Sequence, residues 1–174
     1  MARYRQELEL LSVYRNCKTQ DADGNCVTLL CNIGSVQEAQ IAQENGAEGI
    51  GLFRTEFLFM DRASAPTEEE QYEAYAAVSN IFQGKEVIVR TLDIGGDKKL
   101  DCLALPKEEN PFLGNRALRL CLSHPQMFKT QLRAALRASV YGNLWMMFPM
   151  VSSMEDIHQA KAAVQEAKNE LEME

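Results

Sequence analysis

Three arginines stand where chemistry could be done. Arg54 closes the apolar run of GIGLFRTEFLFMDR (49–62), Arg90 closes the run that opens VIVRTLDIGGDK (87–98), and Arg116 ends NPFLGNR (110–116). In the first two, a short apolar run reads as a buried strand that delivers a cation to the loop beyond it. A guanidinium is a planar fork that pairs two oxygens at once, so arginines at strand ends suit a small polyanion. Phosphoryl chemistry fits that description, because it consists mostly of positioning and of neutralising oxygens. Spacing alone leaves a second reading open for each arginine, a plain salt bridge with Glu56 or Asp93 as partner. A carboxylate beside an arginine more often orients it than holds a metal.

Other candidates read as ordinary. Gly95-Gly96 is a weak phosphate-loop signal and fits a turn. His124 precedes a proline at a helix break, and His158 lies in an exposed helical pattern. Met146, Met147 and Met150 suit core packing. Glu68, Glu69 and Glu70 suit a helix N-terminus, where acidic residues complement the dipole.

The elements that must position the arginines follow from periodicity and punctuation. Residues 3–16 have helical spacing, with Tyr4, Leu8 and Leu11 on one side. Val27 to Ile33 is an apolar run of strand length, and Ser35 with Glu38 opens a helix that ends near Asn45-Gly46. Ile50 to Phe53 is the second strand. A helix capped at Thr67 with Glu70 reaches about Phe82, and Val87 to Thr91 is the third strand. Residues 113–122 and 125–140 read as two helices split at His124-Pro125. Leu144 to Met150 is the fourth strand, and Ser152 with Glu155 caps a last helix in which Ile157, Val164 and Leu171 recur every seven residues. Strand and helix alternate four times with no hairpin signal, and the strands lack two-residue alternation, as expected of strands covered on both faces. The expected fold is α/β with a parallel sheet, either an open doubly wound sheet or a (β/α) barrel. Both place their sites at the carboxyl edge of the strands, where Arg54 and Arg90 fall. Four units are half of a closed barrel.

The chain has 174 residues, 46% of them hydrophobic and 25% charged, with a formal charge of −7. That describes one soluble domain with a real core and argues against a general nucleic-acid binder, which shows a basic face. MARYRQELELL lacks the apolar stretch of a signal peptide, and no run approaches a membrane span, so the expected compartment is the cytoplasm. Cys17, Cys26, Cys31, Cys102 and Cys121 match no zinc spacing and are expected as reduced thiols.

GLFRTEFLFMDR, followed by PTEEEQ, VIVRTLDIGGDK and KEENPFLGNRALRL, resembles the phosphoenolpyruvate-utilising enzymes, and within them the phosphoenolpyruvate–protein phosphotransferases, enzyme I of the bacterial sugar phosphotransferase system. The likeness runs from about Cys31 through Val151, and DIGGDK (93–98) points to the phosphotransferase rather than the dikinase branch. The resemblance implies a TIM-type barrel that binds phosphoenolpyruvate and Mg²⁺. It also implies transfer of the phosphoryl group to a histidine on a separate N-terminal domain, then to a histidine-containing phosphocarrier protein. On the same footing, Arg54 and Arg90 match the substrate-binding arginines, Arg116 a further arginine of that pocket, and Lys98 sits in the matching GGDK loop. Residues 1–26 correspond to a linker helix and turn, and 27–174 to the first half of the barrel. The family's barrel mediates dimerisation, so a homo-oligomer is expected; an assembly module and a dikinase-like enzyme are the alternatives.

Departures bound that inference. No segment matches the family's histidine-bearing stretch, its Mg²⁺ carboxylates, its last phosphate arginine or its proton-donating cysteine. The metal ligands are therefore expected outside these residues, and the chain alone is expected to be catalytically incomplete. Asn115 stands where the family usually has an aromatic residue.

Overall fold

The computed structural model describes residues 2–14, 17–95 and 114–173. Helix α1 (Ala2–Ser12) comes first, followed by β1 (Cys31–Ile33), α2 (Val36–Glu44), β2 (Ile50–Arg54) and α3 (Glu68–Ile81). Next come β3 (Glu86–Arg90), α4 (Ala117–Ser123), α5 (Pro125–Ala138), β4 (Asn143–Met147) and α6 (Met154–Glu170). The strands pair in the order β1-β2-β3-β4, and every pairing is parallel. This order decides between the two expected architectures. A doubly wound sheet reverses at a switch point, whereas a barrel lays each strand beside the last. The fold is a partial (β/α) barrel.

Strand alternation sorts the side chains onto two faces. One register row runs Ile33, Phe53, Val89 and Met146 across the sheet. It packs with Ala39 and Ala42 of α2, Tyr75 and Val78 of α3, and Ala134, Ala135 and Ala138 of α5. A second cluster joins Leu92, Ile94 and Phe59 to Leu118, Phe128, Leu132, Ala160 and Ala167, which docks α4, α5 and α6 beyond the strand ends. The alternate row carries Asn32, Leu52, Ile88 and Trp145, with Arg54, Arg90 and Met147 beyond them at the carboxyl edge. Trp145 is 56% exposed, so among the described residues the sheet is covered on one face rather than the expected two.

Several boundaries differ from expectation for local reasons. The apolar run 27–33 is laddered only from Cys31. Before that, Glu48 Oε2 accepts the Leu29 N–H at 2.7 Å, and Val27 N–H donates to Thr19 O. β4 stops at Met147 because Pro149 has no N–H to continue a ladder and Met150 turns to a φ of 63°. The last helix is capped one residue later than expected, by Ser153, whose Oγ accepts the Asp156 N–H. Its buried contacts are made by Ala160 and Ala167 rather than by the heptad residue Ile157, which is exposed. Glu38 reaches back to the Gly34 N–H rather than to the cap residue Ser35. On α1, Tyr4 and Leu11 remain largely exposed.

The acidic start of α3 does more than complement a dipole. Thr67 and Glu70 form a reciprocal capping box, while Glu68 accepts from Arg133 and Arg137 and Glu69 from Arg137, which clasps α3 to α5. The Arg62 hydrogen bond, then those of Thr67, holds the Glu70 carboxyl down at about 2 against an ordinary 4.5. Burial resists ionisation of Glu68, but Arg133 and Arg137 outweigh it and keep its carboxyl below the usual range. Both folded values lie below the unfolded ones, so their stabilisation is complete above about pH 4.5 and is lost as the pH falls toward 2. Urea midpoints should therefore fall between pH 5 and pH 3, and Glu70→Gln should flatten that slope. An unchanged slope in the variant would refute the assignment.

Candidate functional site

Arg54 and Arg90 end adjacent parallel strands and are register partners. They project from the same sheet face, since Phe53 and Val89, one residue earlier, point into the helix-side core. Strands lie about 4.8 Å apart, so two guanidinium groups are brought side by side at the carboxyl edge. Such a pair repels unless anions intervene. Carboxylates do intervene around Arg90: its Nη2 donates to Glu56 Oε1 at 2.5 Å, and its Nη1 lies 3.2 Å from Asp93 Oδ2. Asp93 Oδ1 in turn accepts from Arg116 Nη2 at 2.9 Å. The result is an alternating chain, Glu56, Arg90, Asp93, Arg116, in which Glu56 is buried and the other three side chains are 14–16% exposed.

Arg54 is held differently. Its Cζ sits 4.8 Å from the centroid of the Phe57 ring, and it makes no ion pair among the described residues. Phe57 lies against the backbone after β1, where a Cβ on Gly34 would come within 2.6 Å of the ring. The Nε atoms of Arg54 and Arg90 are both buried without a hydrogen-bond partner among the described residues. A guanidinium offers five N–H groups, so donors remain on each arginine after its contacts here.

Arg116 reaches the cluster from the loop before α4 by a strained path. Ala117, the next residue, has a φ of 53°, a region where a Cβ is disfavoured. Backbone bonds hold it there: the Ala117 N–H donates to Ile94 O and the Leu118 N–H to Pro149 O. Gly95 makes room for Arg116, since a Cβ there would lie 2.2 Å from the Arg116 Cβ.

The structure thus brings Arg54, Arg90 and Arg116 to one edge of the sheet. Lys98 lies outside the described residues, as does Cys102. The salt-bridge alternative holds in geometry for Arg90 and Arg116, and not for Arg54. The carboxylates nearest the arginines do not fit Mg²⁺, because both Asp93 oxygens and Glu56 Oε1 are engaged by guanidinium groups. Among the described residues no group of three or more His, Cys, Asp or Glu side chains is placed to hold a metal. No described helix is long and apolar enough to cross a membrane. Cys17, Cys26, Cys31 and Cys121 are free thiols. Burial, with the Asp93 charge second, pushes the Cys121 thiol up to about 12, so it stays protonated beneath the cluster.

The polar groups under the arginines belong to no motif. Thr55 Oγ1 donates to the Arg90 carbonyl at 2.8 Å, and Gln131 Oε1 accepts the Leu92 N–H at 2.9 Å. A signal for Gln131 was present: it falls on the buried stripe of α5 with Phe128, Leu132 and Ala135, a polar residue among apolar ones.

Residues 9–174 match the family model described as PEP-utilising enzyme, PEP-binding domain. The chain is 55% identical over 170 residues to the phosphoenolpyruvate-protein phosphotransferase of Staphylococcus carnosus, covering 98% of this chain and 29% of that protein. It is 57% identical over 159 residues to the protein of that name from Priestia megaterium, covering 91% of this chain and 28% of the relative. The corresponding protein of Bacillus subtilis is 54% identical over 156 residues, covering 90% and 27%. The chain therefore spans less than a third of the length of these relatives.

Proposed function

The chain belongs to the PEP-utilising enzymes, by their PEP-binding domain, and from that premise we propose that it forms part of the substrate-binding barrel of a phosphoenolpyruvate–protein phosphotransferase. The observation that carries this reading is the pairing of Arg54 and Arg90 in register at the carboxyl edge, with Arg54 free of carboxylate partners among the described residues. In this reading Arg54 and Arg90 grip phosphoryl oxygens and Arg116 supports them. Glu56 and Asp93 are not ligands; they hold Arg90 and Arg116 in place so that no ordering is needed when the anion arrives. In the parent protein the phosphoryl group would leave for a histidine of another domain and then for a small carrier protein. The residues here bind and orient.

Charge sets the expected strength. Among the described residues, three guanidinium and two carboxylate groups leave one net positive charge in the cluster, against the several negative charges of phosphoenolpyruvate. Further cations, Lys98 and the Mg²⁺ common to the family among them, would add to that charge; on the cluster's own charge binding should fall in the millimolar range, about −4 kcal/mol. Titration with phosphoenolpyruvate in Mg²⁺ buffer, followed through the arginine Nε–H resonances, tests this. Signals of Arg54 and Arg90 should move with saturation, while those of Arg133 and Arg137 on α5 stay still. Uniform movement of all four, or none, would end the reading.

A further inference from the structure

We propose that Gln131, on α5 and outside the arginine cluster, is a positioning residue that fixes the spacing of Arg54 and Arg90 for an incoming phosphoryl group; the inference rests on the phosphoenolpyruvate reading above. Gln131 is 2% exposed, and its amide makes three hydrogen bonds. Its Oε1 accepts the Leu92 N–H at 2.9 Å, while Nε2 donates to Thr55 Oγ1 at 3.1 Å and to the Tyr75 hydroxyl at 3.2 Å. Only one orientation of the amide serves, because the Leu92 N–H demands an oxygen.

The roles run in one direction through the network. Thr55 Oγ1, having accepted from Gln131, donates to the Arg90 carbonyl at 2.8 Å. Tyr75 donates onward to Gln71 Oε1, and Gln71 Nε2 to the Pro66 carbonyl. Burial pushes the Tyr75 hydroxyl well above its ordinary value, so it remains a proton donor. Thr55, Tyr75, Gln71 and Gln131 are all at most 2% exposed. A buried network in which every member is satisfied is rigid, and its members act together.

Its position gives that rigidity a use. Thr55 directly follows Arg54 and takes the Arg90 carbonyl, while Gln131 takes the Leu92 N–H, so the main-chain groups on either side of Thr91 are both held. Thr91 itself donates its N–H to Met147 O on β4. The two strand ends that carry the arginines are thus tied to each other through the Thr55 hydroxyl and to α5 through one amide. Asp93, one residue past the Leu92 anchor, is the carboxylate shared by Arg90 and Arg116. Without Gln131 the strand ends keep their sheet ladder and the Thr55–Arg90 bond but lose the anchor that holds both of them against α5.

The test uses the full chain and the phosphoenolpyruvate titration. Gln131→Met keeps the length and removes all three bonds, and Thr55→Val removes the hydroxyl between the strand ends. Each should weaken affinity roughly tenfold, about what one lost hydrogen bond contributes. The double variant should do little worse than either alone, since both break one network. Phe82→Leu, at a buried position by the opposite edge of the sheet, should lower the unfolding midpoint and leave affinity unchanged. Wild-type affinity in both network variants overturns the proposal, and so does an equal loss in Phe82→Leu, because binding would then track global stability. Thr55→Val carries the test if Gln131→Met does not fold. Absence of binding in the unmodified chain would mark the failure as that of the phosphoenolpyruvate reading, and this inference would fall with it.

Discussion

Arg54→Ala and Arg90→Ala should both abolish the response to phosphoenolpyruvate, yet only Arg90→Ala should unfold the protein measurably earlier. Each loses charge-assisted hydrogen bonds to oxyanions, a loss of roughly 3 kcal/mol or about a hundredfold in affinity. The stability difference comes from what each guanidinium leaves behind. Arg90 is bonded to Glu56, which is 1% exposed, and to Asp93, which is 16% exposed. Its removal takes a guanidinium away from a buried carboxylate, at a cost of about 3 kcal/mol, or roughly 10 °C in midpoint for a chain of this size. Arg54 gives up a contact with the half-exposed Phe57 ring, so the same truncation should cost about 1 kcal/mol or less. Adding Glu56→Gln to Arg90→Ala separates the two roles. It should restore part of the stability by neutralising the buried carboxylate that Arg90 had faced, and restore none of the binding. Thermal unfolding and the titration, run on the same four proteins, decide it. Equal midpoints for Arg54→Ala and Arg90→Ala would refute the assigned electrostatics.

How much of this was legible beforehand depended on whether the cause was local. Strand-end arginines are visible because an apolar run and its terminal cation are contiguous, and the alternation of elements follows from punctuation such as Thr67 with Glu70 or His124-Pro125. The choice between barrel and doubly wound sheet was not local; it needed the strand order. The shortening of β1 depends on Glu48, nineteen residues from the Leu29 N–H it binds. The one-residue shift of the last cap has another origin. SSMED offers two serines, each with an acidic residue three positions on, and only the folded chain shows that Asp156 collects the N–H groups of both Ser152 and Ser153. The carboxylate chain was half legible: Glu56 and Asp93 were nameable partners, but their sharing across Arg90 and Arg116 required the loops to meet. Gln131 bonds residues 39 and 76 positions away, and no spacing rule reaches that far.

The same non-local packing makes Gly95→Ala the sharpest test of how Arg116 is placed. The new Cβ would stand 2.2 Å from the Arg116 Cβ and 3.2 Å from its Cα, and both positions are set by backbone, so no rotamer relieves the clash. Arg116 cannot simply back away. The next residue, Ala117, already occupies a φ of 53°, and the bonds to Ile94 O and Pro149 O hold it there. Overpacking usually costs about 1–3 kcal/mol, and here the upper end, about 3 kcal/mol, is expected because relief would break hydrogen bonds. Displacing Arg116 also pulls on Asp93 and through it on Arg90, so phosphoenolpyruvate affinity should fall roughly tenfold, the equivalent of one hydrogen bond. Gly24→Ala supplies the contrast. Gly24 has a φ of 84° with nothing within 4 Å of its would-be Cβ, so only the conformational penalty applies, about 1 kcal/mol, with binding untouched. Urea unfolding of the two variants reads both costs. A Gly95→Ala protein no less stable than Gly24→Ala, and binding as the parent does, would mean that the loop yields freely and that Arg116 is not fixed by packing.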